Sequence, residues 1–135
     1  MQAKALKFDI PSDLSESRRV HQQIMAAVAD GGYSEDAIFA IKLAIEEALV
    51  NAIKHGNKLD PRKRVHVEAN VGPEEVEIII EDEGPGFARC AVPDPTADEN
   101  LTKCSGRGLL LMEAYMHTVE YSNNGRRVRL VRKRD

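Results

Sequence analysis

The spacing of apolar and polar residues predicts two long helices in the first half of the chain. The first begins after an N-cap at Ser12 or Asp13 and ends at the glycines at 31–32, and Ser34 caps the second. Apolar residues recur at helical spacing through the second helix until residues 55–57. We therefore expect the second helix to present a continuous apolar face to a core.

Shorter runs predict the strands of a sheet and one more helix. The strands lie at residues 6–10, 65–71, 76–81, 118–121 and 127–131, and the further helix lies at 109–116. The last two strands form a hairpin across residues 123–125. The third strand is almost continuously apolar at its end, which places it centrally in the sheet.

This order of elements predicts an α+β fold. We expect a two-layer sandwich in which about three helices cover a mixed, mainly antiparallel sheet. In the last strand Val128 and Leu130 alternate with arginines, which is typical of an edge strand with a solvated face. Six of the nine residues from Arg126 to Arg134 are basic, although the net charge of the chain is only −3. Such a tail can attract nucleic acid, but the alternation favours a plain strand, and we expect no direct nucleic-acid binding.

Length and composition restrict the class of protein. The 135 residues, 42% of them hydrophobic, fit one domain that spans 1–135. The longest wholly apolar runs, at 78–80 and 109–112, are far shorter than the roughly 20 residues that cross a bilayer. The first residues lack the apolar stretch and cleavage site of a secretory signal. We expect a cytoplasmic protein without a membrane segment.

Two polar residues share one face of the otherwise apolar second helix. Glu47 and Asn51 are four residues apart and point the same way, whereas Glu46 is turned about 100° from Glu47 by the 3.6-residue repeat. A carboxylate and an amide stacked in this way suit a divalent cation and a water to be activated. Alone, the pair is better explained as an exposed polar stripe.

Two glycine-rich segments offer further candidate chemistry. The sequence DEGPGF at 82–87 follows a predicted strand directly, where an acid can accept from an exocyclic amine and glycines let the backbone approach a planar ring. The sequence SGRGL at 105–109 enters a helix, whose free N–H groups can face phosphate. Each segment alone is also consistent with an ordinary turn or helix entry.

In this order and at these intervals, the three features resemble the GHKL ATPase superfamily, which includes gyrase-type topoisomerases, heat-shock chaperones, histidine kinases and anti-sigma-factor kinases. Residues 47–56 are similar to the N box of that family, residues 82–87 to its first glycine box and residues 106–109 to its second. The resemblance spans nearly the whole chain. The short length and the Asn-Ala-x-x-His-Gly form of the N box most resemble the anti-sigma-factor serine/threonine kinases of bacteria.

The resemblance implies a Bergerat-type fold that binds ATP and Mg²⁺. In such a site Asn51 would ligate Mg²⁺, Asp82 would recognise adenine, and Glu47 would be the catalytic base that orients or deprotonates the attacking hydroxyl. The other implied nucleotide-binding residues are His55, Gly84, Gly86, Lys103, Gly106, Arg107, Gly108 and Leu109. Residues from about 88 to 105 would form the ATP lid, and Lys103 and Arg107 are the candidates for a basic group near the γ-phosphate.

The implied function is a protein serine/threonine kinase that phosphorylates a STAS-type anti-sigma antagonist and, in its other state, holds a sigma factor inactive. The sequence leaves open whether the domain also forms a homodimer through its first strand and helix. The alternative is a non-catalytic, ATP-sensing binding module. Two departures favour the module: such kinases tend to carry Arg at the position of Cys104, and relatives often place Thr after the glycine where this chain has Arg126-Arg127. The presence of Glu47 and Asn51 favours the kinase.

Overall fold

The computed structural model describes residues 3–84 and 115–134, which form a sheet layer and a helical layer. The elements are β1 (Lys4–Pro11), α1 (Leu14–Asp30), α2 (Glu35–Val50), a π-helical segment (Asn51–Gly56), β2 (Arg64–Val71), β3 (Glu75–Glu81), β4 (Thr118–Ser122) and β5 (Arg127–Lys133). The predicted α+β sandwich is confirmed. Two of the three expected helices lie in the described part of the chain, and the third, at 109–116, lies almost entirely outside it.

The five strands pair in the order β1-β2-β3-β5-β4. The prediction that β3 is central is confirmed. All four pairings are antiparallel, so the described sheet contains no parallel pair and is not mixed. The ends of the helices also follow the sequence signals: Asp13 caps α1 by accepting from the Ser15 N–H at 2.7 Å, and Ser34 caps α2 by accepting from the Ala37 N–H at 3.1 Å.

The prediction that β5 is an edge strand is wrong, because β4 folds against its outer side and takes the edge. The predicted alternation is nevertheless present, with Val128 and Leu130 buried against the helices. On the solvent face Arg129 donates to Glu77 on β3 at 2.6 Å and to Glu120 on β4 at 2.7 Å. An arginine-rich strand can lie inside the sheet because carboxylates on both neighbouring strands pair with its charge.

The core lies between one face of the sheet and the two helices. Its largest side chains are aliphatic, and the burial of each stabilises the fold by roughly 1.5–3 kcal/mol. The helices contribute Ile24, Ile41, Ile45 and Ile53, and the strands contribute Ile10, Ile78, Ile80 and Leu130. This packing fixes α2 across the sheet, so that the C-terminal end of the helix lies near the end of β3.

Candidate functional site

The predicted second helix extends as far as expected, but its last turn is π-helical. The α-helix ends at Val50, and residues Asn51–Gly56 continue it with wider turns. The N–H of Asn57 donates to the carbonyl of Ala52, five residues back, at 2.8 Å. π-helical segments are rare in proteins, and many of those that occur lie at functional sites. Because the 3.6-residue repeat ends here, the spacing argument that relates Glu47 to Asn51 does not extend to His55.

A cleft opens where this helix end faces the end of β3 and the β4–β5 hairpin. It is lined by Ala48, Asn51, Ala52, Ile80, Asp82, Tyr121, Gly125, Arg126 and Val128. The cleft brings together Asn51 and Asp82, which come from two motifs 31 positions apart in the sequence. Its walls are largely apolar with a few polar groups, which is the usual composition of a small-molecule site.

Asp82 interlocks with two glycines at the base of this cleft. Its side chain is only 3% exposed. A Cβ atom at Gly56 would lie 2.4 Å from the Asp82 carboxylate, and a Cβ atom at Gly84 would lie 1.9 Å from the carbonyl oxygen of Gly56. Neither position has room for any side chain. Packing therefore requires glycine at both positions, because the N box and the first glycine box are in close contact there.

The environment of Asp82 makes it harder to ionise than an ordinary aspartate. Burial raises the pKa of its carboxyl group to about 6, against the opposing effects of the Gly84 N–H, which donates to Oδ1 at 2.9 Å, and of the positive charge of Arg126. The carboxylate is thus the main form at neutral pH. In that form it can only accept hydrogen bonds, which suits an exocyclic amine.

Asn57, directly after the N box, is a positioning residue that sequence reasoning missed. It is 1% exposed, and its Oδ1 accepts from the Glu83 N–H at 2.8 Å. Its Nδ2 donates to Ser12 Oγ and to the carbonyl of Arg64, each at 2.9 Å. This one amide ties the first glycine box to the starts of α1 and β2. Asparagine after a helix reads as an ordinary turn residue, so the sequence carries no signal of its burial.

Arg126 was also missed as a part of the site. Its Nε donates to the carbonyl of Gly84 at 2.6 Å, and its own carbonyl accepts from the Asp82 N–H at 2.9 Å. Gly125 before it has a φ of 82°, a conformation that favours glycine. A Gly-Arg pair after a hairpin turn predicts the turn but not this contact.

The remaining predicted residues are placed less centrally or fall outside the described residues. Glu47 is half-buried one helical turn before Asn51, and it is not among the residues that line the cleft. Glu46 lies in a separate groove between α1 and α2, as its expected rotation away from Glu47 requires. His55 is exposed. Gly86, Lys103, Gly106, Arg107, Gly108, Leu109 and the predicted lid at 88–105 lie outside the described residues.

The described residues contain no ready-made metal cluster. Among residues 3–84 and 115–134 no group of three or more His, Cys, Asp or Glu side chains is arranged to hold a metal. Asn51 fits Mg²⁺ in a different way, because Mg²⁺ commonly takes one or two protein ligands and completes its shell with substrate phosphates and water. Within the same residues no helix is long and apolar enough to cross a membrane.

Comparison with known proteins identifies a family and relatives that cover most of the chain. Residues 10–132 match the histidine kinase-like ATPase domain family. The chain is 35% identical over 98 residues to an anti-sigma F factor of Clostridium perfringens, an alignment that covers 70% of this chain and 69% of that protein. It is 34% identical over 101 residues to the serine-protein kinase RsbW of Bacillus subtilis, covering 69% and 62% of the two chains. An anti-sigma F factor of Shouchella clausii is 32% identical over 113 residues, covering 82% and 75%.

Proposed function

The chain belongs to the histidine kinase-like ATPase family, and from this membership we propose that it is an ATP-dependent protein serine/threonine kinase of the anti-sigma-factor type. The resemblance to anti-sigma-factor kinases is confirmed by relatives named as anti-sigma F factors and serine-protein kinases. We propose further that residues 1–135 act as one domain and that the segment at 88–105 is its ATP lid.

The observation that carries the proposal is the buried carboxylate of Asp82 at the cleft. It lies at the end of the central strand, is 3% exposed and is held by the Gly84 N–H at 2.9 Å. Burying a carboxylate costs free energy of folding, and a buried carboxylate with a raised pKa in a cleft is a candidate for ligand recognition. An acceptor in a largely apolar cleft matches the exocyclic amine of adenine.

The chain's own residues would divide the work of phosphoryl transfer. Asp82 would accept from the adenine amine, and Asn51 would hold Mg²⁺, which when bound neutralises phosphate charge. Glu47 would take the proton of the acceptor serine or threonine hydroxyl. The hydroxyl oxygen then forms a bond to the γ-phosphorus while the bond from the γ-phosphorus to the bridging oxygen of ADP breaks.

The partners of the kinase follow from the same family. We propose a STAS-type anti-sigma antagonist as the phosphoacceptor and a sigma factor as the protein that is held inactive, and we place this exchange in the cytoplasm. Support comes from the relatives whose names identify them as anti-sigma F factors. A homodimer through β1 and α1 is part of the proposal, because β1 is an edge strand of the described sheet and pairs there only with β2.

The test is transfer of labelled γ-phosphate from Mg·ATP to proteins of the source cell's lysate. We expect acid-stable label on a small protein, and we expect Glu47→Ala to abolish the label while ATP binding persists. Glu46→Ala is the matched control, since it removes the same charge one position away on the groove side of α2. Equal transfer by wild type and Glu47→Ala would exclude Glu47 as the base.

The second candidate function is the non-catalytic binding module. The departures at Cys104 and Arg127 favour it, because the kinases that the chain resembles tend to carry Arg at the first position and often place Thr after the glycine that precedes the second. ATP binding by the wild type without any label on lysate proteins would support the module over the kinase.

A further inference from the structure

Arg126 lies directly before β5 and lines the cleft beside Asp82. Gly125, with its φ of 82°, turns the chain into it, and the Arg126 N–H donates to the carbonyl of Asn123 at 3.2 Å. The main chain of Arg126 is thus fixed by the hairpin turn.

Arg126 holds both ends of the three-residue segment 82–84. Its carbonyl accepts from the Asp82 N–H at 2.9 Å, which extends the β3–β5 ladder one step beyond the pair Glu81 and Arg127. Its Nε donates to the Gly84 carbonyl at 2.6 Å. A charge-assisted hydrogen bond of this length is stronger than one between neutral groups.

The segment 82–84 has no room to relax on its other side. A Cβ atom at Gly84 would lie 1.9 Å from the Gly56 carbonyl oxygen, so the segment is already in contact with the helix end. The Glu83 N–H is bound to Asn57 Oδ1 at 2.8 Å. Without the guanidinium, the buried Gly84 carbonyl would lose a donor. The segment would then be held less firmly beside the cleft.

The guanidinium also contributes charge. Its positive charge favours the ionised form of Asp82, and Lys63 from the loop before β2 acts in the same direction. Glu81 on β3 acts in the opposite direction. From the helix end, the backbone of Gly56 packs against the carboxylate. An ionised carboxylate is the form that accepts from an amine without competing as a donor.

We propose that Arg126 is a positioning residue for base recognition, which fixes the segment 82–84 so that the Asp82 carboxylate faces the base of a bound nucleotide. The role rests on the nucleotide site of the proposed function. The role affects specificity, because a fixed carboxylate acceptor binds a purine with a 6-amino group more tightly than one with a 6-oxo group. A contact of Arg126 with the phosphates would instead affect all purine nucleoside triphosphates equally.

The test is a competition experiment in which ATP and inosine triphosphate, which carries oxygen in place of the 6-amino group, displace a fluorescent ATP analogue from the full chain. The variants are Arg126→Ala and Arg126→Lys. Arg127→Ala is the matched control, because Arg127 is exposed and lies opposite Ser122 on the solvent face of the sheet.

We expect Arg126→Ala to weaken ATP binding about tenfold and to weaken inosine triphosphate binding by less than threefold, so that the preference for ATP falls. Arg126→Lys restores part of the preference because it keeps a cationic donor, and Arg127→Ala leaves both affinities unchanged. An equal loss for both nucleotides, or no loss in Arg126→Ala, overturns the role. Failure of the wild type to bind ATP overturns the nucleotide site and the role together, whereas ATP binding without phosphate transfer overturns only the kinase.

Discussion

Arg126 and Arg134 bracket β5, and each donates hydrogen bonds to backbone carbonyls at its own end of the sheet. At the cleft end Arg126 binds one carbonyl, that of Gly84, beside a buried carboxylate. At the other end Arg134 donates to the carbonyls of Pro73 at 2.6 Å, Gly32 at 3.0 Å and Gly31 at 2.8 Å.

The Arg134 end is built around an aromatic ring and contains no buried acid in the described residues. The Arg134 guanidinium lies 4.1 Å from the centroid of the Tyr33 ring, and the Tyr33 hydroxyl donates to the Gly72 carbonyl at 2.5 Å. These contacts join the end of α1 to the β2–β3 turn. The same type of side chain therefore closes the fold at one end and holds the segment of a buried carboxylate at the other. The comparison teaches that stability and ligand binding should respond separately to changes at the two ends.

The largest loss of stability at the cleft end is expected from a substitution at Gly84. Gly84→Ala places a Cβ atom 1.9 Å from the Gly56 carbonyl oxygen, and backbone cannot yield as a flexible side chain can. We expect the free energy of unfolding to fall by more than about 3 kcal/mol, measured by urea denaturation.

The control is Gly32→Ala, where φ is +74° and no atom lies within 4 Å of the added Cβ. Its cost should be only the roughly 1–2 kcal/mol of a left-handed residue. Similar losses at both positions would contradict the tight contact.

An intermediate effect is expected from Asp82→Asn, with opposite signs for stability and binding. Because folding raises the pKa of Asp82 to about 6 from 3.8, the folded state binds the proton more tightly than the unfolded state. The wild type therefore loses stability as pH rises from about 4 to about 6, and the neutral amide does not. We expect Asp82→Asn to match the wild type below pH 4, to exceed it by about 3 kcal/mol at pH 7, and to bind ATP more weakly. A stability difference that does not vary with pH would refute this explanation.

The smallest effect is expected from Arg134→Ala. It removes three partly exposed hydrogen bonds and the contact with the Tyr33 ring, which should cost about 1.5 kcal/mol of unfolding free energy. ATP affinity should not change, because the cleft lies at the other end of β5. A loss of ATP affinity greater than about threefold would show that the two ends are coupled, and the proposed separation would fail.

Local patterns predicted most of the fold because each depends on neighbouring residues. The caps at Asp13 and Ser34 and the central position of β3 follow from short-range chemistry. The interior position of β5 could not be predicted, because Arg129 is compensated by Glu77 and Glu120 from strands distant in sequence.

The candidate site was predicted in part for the same reason. Asn51 and Asp82 could be named from their motifs, and the cleft does bring them together. The burial of Asn57 and the bond of Arg126 to Gly84 depend on the tertiary approach of three segments. No pattern in any one of those segments encodes that approach.

The π-helical segment gives the helix of the N box two rotational phases. Up to Val50 the phase follows the 3.6-residue repeat and is set by the core, whereas from Asn51 to Gly56 five-residue bonding spreads each turn over more residues. Residues 51–56 therefore face directions that the 3.6-residue repeat of the preceding helix would not give them. A single deletion in this segment would leave the helix almost as long but would rotate Gly56 away from Asp82. Here the phase of the helix, more than its length, determines whether the two motifs meet.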